Sequence, residues 1–321
     1  MKYILLLICF QCLYSQKITP EEEFTVSQNY IYLAKYKFYK KDYKKASDLF
    51  KKAFYYHSPL NSYDLLDAAA CSLYNGENAL SEQYITEAIV NYKAPLDFIM
   101  EYNKFKPFLK NVFFKELPSK YEIYFNKFYG SKKNLQAYLD VNVLVEKDQF
   151  IRNIIDDFEK NKIKTKTDTL LIKQLNKTDN ENVKELIEIT NKFGYLDSSW
   201  LLLWHQRPLY NDSNSFFWNF FKPLINKEIK EGKVHKSFFA MFEDFNETIN
   251  NQRQKYGVFP QYFGLYPFVD IKNIDTQRGN IGLPPLSFEI IVNGYPIPEK
   301  YQFSETGLEK QLEERILKYE K

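Results

Sequence analysis

The chain has 321 residues, 45% hydrophobic and 18% aromatic, which supports one large or two ordinary hydrophobic cores and argues against disorder. Only 10 glycines in that length argue against glycine-rich phosphate loops, collagen-like repeats and turn-dense β-sandwiches, all of which need positive φ or close backbone approach many times over. Forty-four basic and 41 acidic residues are interleaved, as in Lys40 to Lys45 around Asp42, and this is a solvated face, not the one-signed stripe of a nucleic-acid binder.

In chain order, Lys2, the apolar run Tyr3 to Phe10 and then Tyr14-Ser15-Gln16 read as a secretory leader cleaved after Ser15. An apolar run of this size falls short of the roughly 20 residues that span a bilayer but suits a leader core of about 7 to 15. The expectation is an exported protein, periplasmic or secreted, without a transmembrane segment. Cys9 and Cys12 lack the Leu-small-small pattern of a lipoprotein signal and leave with the leader. The mature chain keeps only Cys71, so no intramolecular disulfide can form and stability must come from the core.

Two segments then recur at a 35-residue spacing. Leu33, Ala34, Asp42-Tyr43, Ala46, Phe50 and Ala53 are followed by Ala68, Ala69, Gly76, Ser81, Ile85 and Ala88, with small residues where two helices approach and large ones where one inserts into the next. The pattern resembles tetratricopeptide repeats, and the resemblance implies helical hairpins that hold a peptide or partner protein. Two such units need a cap. Pro95 closes the second, and Leu96 to Phe128, with Phe105, Phe108, Phe113 and Phe114, supplies capping helices. The polar Gly130 to Asn134 is the candidate hinge, giving parts 1–15 (leader), 16–135 (repeats and caps) and 136–321 (a second helical domain).

In the second domain a helix is expected from Asp148 with Phe150, Ile151, Ile154, Ile155 and Phe158 as its buried stripe. Thr178-Asp179 reads as the cap of a helix carrying Val183, Leu186 and Ile187 and ending before Gly194, and Ser198-Ser199 opens another through Trp200 to His205. Helices follow over Ser215 to Lys230 and Lys236 to Gln254, parted by Gly232. From Tyr256 the glycines and prolines predict an irregular segment, with a short strand over Phe288 to Gly294 and a last helix from Glu305 to Lys321. The fold class is mainly α: helical hairpins, then a helical domain with an irregular Gly/Pro-rich C-terminal segment.

Catalytic signatures are sparse. The chain has no GxGxxG, P-loop, GxSxG or HExxH, and His57, His205 and His235 are widely spaced, so neither a cofactor nor a metal is expected. A polar set in apolar surroundings remains: Asp148, Gln149 and Arg152; His205 after Trp200 to Trp204; Asp244; Gln254, Tyr256 and Gly257; Asp275 and Arg278. Asp148 and Arg152 share one helix face at i and i+4.

The order Asp-Gln-x-x-Arg, Gly194 beside an aromatic, a histidine ending an apolar helix, Asp244, Gln-x-Tyr-Gly and Asp-x-x-Arg with Ile281-Gly282-Leu283 resembles a domain family of unknown function found in exported bacterial proteins behind helical repeats. The resemblance covers roughly Asp148 to Leu286 and implies no reaction; Phe245-Asn246 after Asp244, and Tyr195 beside Gly194, depart from the pattern. Two readings follow. In one, the polar set is a buried ionic framework that ties the irregular tail to the helices. In the other it lines a cleft where His205, Asp244 and Arg152 carry chemistry and Asp148, Gln149, Gln254, Tyr256 and Arg278 bind a ligand. Against both stands a binding role for the repeats, with a protein or peptide partner.

Overall fold

Helix α1 (Pro20–Tyr39) starts where the sequence offers a complete cap: Thr19 Oγ1 accepts from the Glu22 N–H, Glu22 reaches back to the Thr19 N–H at 2.8 Å, and Pro20 fills the first helical position. The computed structural model describes residues 18–160 and 166–319, so the leader and its cleavage site lie outside them. Asp42 caps α2 (Tyr43–Tyr56) and Asn61 caps α3 (Ser62–Tyr74), which pairs with α4 (Asn78–Tyr92). Leu33, Ala34, Ala46, Phe50 and Ala53 are buried, and so are Ala68, Ala69, Ser81, Ile85 and Ala88, each 35 residues further on. Small side chains at the second, third and fifth places let the paired helices approach closely.

The stacked pairs are covered at both ends. α5 (Leu96–Glu101), a 3₁₀ turn (Asn103–Phe108) and α6 (Val112–Ser131) bury Phe105 and Phe114 on one side, with α6 lying along α4. The other cover comes from the far end of the chain. α14 (Glu305–Leu317) lies along α1, puts Leu308, Leu312 and Ile316 into the same core, and pairs Glu309 with Lys37 and Glu305 with Lys40, the latter at 2.8 Å.

A second core joins α7 (Leu135–Lys160), α8 (Lys166–Phe193), α9 (Trp200–His205), α10 (Phe216–Lys230) and α11 (Phe238–Asn251) around Leu144, Leu203, Trp218, Phe221 and Phe242. Helix α7 begins at Leu135, not near Asp148. Its buried face runs Ala137, Val141, Leu144, Asp148 and Ile151, so Phe150 is 67% exposed and Ile154, Ile155 and Phe158 are only half-buried, which corrects the expected stripe. The reason is that α8 packs along α7 on that face, at three- and four-residue steps. Thr178 and Asp179 do not cap α8: the helix runs through them from Lys166, and both turn toward neighbours, Thr178 buried and Asp179 paired to Arg152.

The last correction concerns Phe288 to Gly294, where the structure has α13 (Leu286–Ile291), not a strand. Phe288 enters the first core and Glu289 meets Arg278, contacts that a helix entered from Pro285 delivers together. Among the described residues the one β contact is an isolated bridge, Gln254 to Phe268, and no helix is long and apolar enough to cross a membrane. The turn between α10 and α11 sits on the start of α1: a Cβ at Gly232, whose φ is +71°, would stand 2.8 Å from the Pro20 carbonyl oxygen. Lys236 reinforces that seam with Glu21 at 3.0 Å.

Candidate functional site

The polar residues singled out in the sequence gather into two groups, not one. In the first, α7 presents Asp148, Gln149 and Arg152, α8 presents Asp179, and α9 ends at His205. Arg152 grips Asp148 with Nε at 3.1 Å and Nη2 at 3.0 Å, and reaches Asp179 at 2.9 Å. Gln149 donates to Asp148 at 2.8 Å, and His205 Nδ1 lies 2.7 Å from the same carboxylate. Asp148 is 1% exposed. Burial disfavours its charge, yet the His205 and Arg152 contacts outweigh burial and hold the carboxyl well below the ordinary range. Asp179 moves the other way, raised first by burial and then by the charge of Asp148, although Arg152 opposes this. The free space among Asp148, Asp179, His205 and Phe217 is about 10 Å³, room for no more than one water.

The second group ties down the irregular segment. Asp244, fully buried in α11, accepts the backbone N–H groups of Lys255 at 2.5 Å, Tyr256 at 2.8 Å and Val258 at 2.7 Å. Burial raises its carboxyl and those three donors restrain the rise. Arg278, on α12 (Ile274–Asn280), spends its guanidinium on the carbonyls of Pro284, Tyr256 and Gly257 at 2.7, 2.8 and 2.9 Å and on Glu289 at 3.1 Å. Gln254 donates to the Tyr262 and Tyr266 carbonyls, both at 3.3 Å, while its Oε1 is buried without a partner. Gly257 is required here: its φ is +67°, and a Cβ would stand 2.7 Å from the Phe268 ring. Asp275 accepts from the Leu286 N–H at 2.7 Å and from Tyr301 Oη at 2.8 Å. No hydrogen bond or ion pair among the described residues links the two groups.

An open cleft of about 1030 Å³ lies elsewhere, where the end of α4, the break between α6 and α7, the segment from Phe193 to Leu201 and the turn before α11 meet. Its walls are aromatic (Tyr92, Phe128, Tyr138, Tyr195, Trp200 and Phe238), and its ionisable groups are Lys93, Lys132, Lys133, Lys233, Asp197 and His235. Lys132, in the break, lies 3.9 Å above the Phe128 ring and 5.4 Å from that of Tyr138. Burial lowers its ammonium pKa, with Asp197 pulling the other way. The surrounding protein, then Glu228, raises the carboxyl of Asp197. Ser198 Oγ is buried without a hydrogen-bond partner in this wall.

His235, in the cleft wall, and His57, far from it in sequence, both pack edge-on to Phe24, with ring centroids 5.4 and 5.1 Å away. His235 Nδ1 accepts the Ser237 N–H at 3.0 Å, so it is an unprotonated nitrogen, and burial pushes the imidazole down to about 4. Sequence reasoning passed over the cleft. It took Gly130 to Asn134 as a hinge and Tyr195 as a departure from a pattern, and nothing local tied either to Lys93 or Trp200.

Among the described residues no group of three or more His, Cys, Asp or Glu side chains is placed to hold a metal ion. Comparison with protein-family models, with curated proteins and with solved structures finds no match.

Proposed function

We propose that this chain is an exported binding module that holds a peptide segment of a partner protein, and that the segment lies in the cleft between α4 and the second core. The observation that carries the reading is the contrast in space: about 1030 Å³ of aromatic-walled cleft against about 10 Å³ beside His205. A general acid or base needs room for a substrate within hydrogen-bond reach, which speaks against His205, Arg152 and Asp244 as reacting groups. The 35-residue recurrence of buried positions in α1 to α4 supports a tetratricopeptide-like pair of hairpins as one wall of the binding surface. In this reading the polar set that resembles the family of unknown function is the framework that holds α7, α8, α9 and the C-terminal segment in place around that surface.

Because α14 belongs to the same core as α1, the two parts are not separable, and the test uses the whole chain from Gln16. Random dodecapeptides displayed on phage are selected on it, and the selected peptides are titrated by tryptophan emission, since Trp200 is in the cleft wall. The expected result is an emission change and loss of binding to Asn91→Trp, which adds bulk at an exposed position on the wall. Peptides that bind Asn91→Trp equally well and leave the emission unchanged place the binding surface elsewhere.

A further inference from the structure

We propose that the occupant of the cleft is an acidic peptide, its carboxylates met by Lys93, Lys132 and Lys133 and its apolar side chains lodged between the rings of Tyr138, Tyr195 and Trp200. This rests on the peptide-binding reading and narrows it to one chemical class.

The charge balance of the walls carries the argument. Four lysines face one carboxylate, Asp197. Lys233 is already engaged, with Glu228 at 3.5 Å and with Glu231, but no carboxylate stands within ion-pair distance of Lys93, Lys132 or Lys133 among the described residues. Elsewhere lysines that sit against apolar surface find an oxygen: Lys35 meets Asp64 at 2.7 Å and Asp67 at 3.2 Å, Lys37 meets Glu309, Lys104 meets Asp67, and Lys222 donates to the Tyr210 carbonyl at 2.8 Å. The half-buried Lys93 and Lys132 of the cleft stand over rings instead, Lys132 over Phe128 with Asp197 as a more distant charge. A half-buried cation without a counter-ion costs free energy that an incoming carboxylate returns, so anions gain more here than at an exposed lysine.

The three free lysines come from two separate elements. Lys93 stands in the left-handed residue that ends α4, and Lys132 and Lys133 in the break between α6 and α7. The positive wall is therefore fixed by two helix ends and not by one mobile loop, and it borders aromatic faces over the length of the cleft. Alternating carboxylates and apolar side chains match that surface, and the exposed carboxamide of Asn91 offers a donor and an acceptor to a peptide backbone. The space exceeds what a single small ligand fills and suits several residues of an extended chain.

The closing experiment uses the same selected dodecapeptides with the whole chain from Gln16. Expected are peptides enriched in Asp and Glu whose affinity falls about tenfold for Lys132→Glu and falls again with added salt, as screened charge attraction requires. Lys132→Gln, read beside it with circular dichroism as the control for folding, is expected to lose less than Lys132→Glu. Neutral or basic peptides that shift Trp200 emission and fail on Asn91→Trp overturn the acidic assignment and leave the peptide-binding reading standing. Equal binding of acidic peptides to wild type and to both Lys132 variants also overturns the assignment. If no peptide of any charge perturbs the tryptophan emission, both readings fall.

Discussion

The Asp148 network and the cleft hold comparable charge and differ in what the charge faces. Around Asp148 two carboxylates, a guanidinium and an imidazole face one another across about 10 Å³; in the cleft three lysines face open space across about 1030 Å³. On the proposed reading, the density of ionisable groups in apolar surroundings, which drew attention to the first region in the sequence, measures burial more than function. Buried charges that are mutually satisfied hold helices together, and the unsatisfied ones mark where a second molecule fits.

The sharpest way to break this comparison is Asp148→Ala. It leaves Arg152 and His205 facing a buried gap, and a loss of about 3 to 5 kcal/mol is expected in thermal or urea unfolding. A variant as stable as wild type denies the network its structural role. Next comes pH. His235 has a folded-state value of about 4, below the ordinary value near 6.5, so the unfolded state binds the extra proton between the two. Stability from this group is complete above about pH 6.5 and is lost as pH falls to about 4, by up to about 3 kcal/mol; His235→Gln flattens that window in unfolding curves taken across it. A wild-type curve without the slope shows that His235 is not held neutral at the Phe24 seam.

A smaller loss, about 1 to 3 kcal/mol, is expected for His205→Ala, which removes one partner of a carboxylate that keeps Arg152 and Gln149. An unchanged or raised melting temperature instead marks His205 as held at a cost, and would reopen the catalytic reading. The smallest effect belongs to the cleft: Lys132→Gln is expected to change stability by no more than about 1 kcal/mol, because the ring contact it loses is offset by removal of a half-buried charge without a counter-ion, while it weakens binding. A large loss there makes the lysine part of the packing.

Where local chemistry decides the outcome, the sequence was legible. The 35-residue recurrence falls on buried positions, from Leu33 and Ala68 to Ala53 and Ala88, because side-chain volume at a helix contact is a local requirement. Three misreadings share one cause, namely residues whose local preference is overridden by a distant partner. Phe288 to Gly294 reads as a strand, yet its Phe288 to Ile291 part is helix because Arg278 and the first core claim its side chains. Thr178-Asp179 looks like a cap, but α7 supplies Asp179 with an arginine. The stripe expected around Phe150 is rotated because α8 meets α7 on the side of Leu144 and Asp148. Of the candidate site, the Asp148–Arg152 pairing was readable from i, i+4 spacing and the contact with His205 was not. The cleft draws on residues from Leu60 to Phe238, and no window of sequence contains it.

The position of α14 has a consequence for how the chain is made. Lys37 and Glu309 stand 272 residues apart in sequence and meet across one core, where Leu308, Leu312 and Ile316 pack with the buried face of α1. Until α14 has been made and docked, the flank of α1 that receives those three side chains lacks them, so this contact closes long after α1 is synthesised, and a holdase that recognises an apolar helix flank would find one there in the interval.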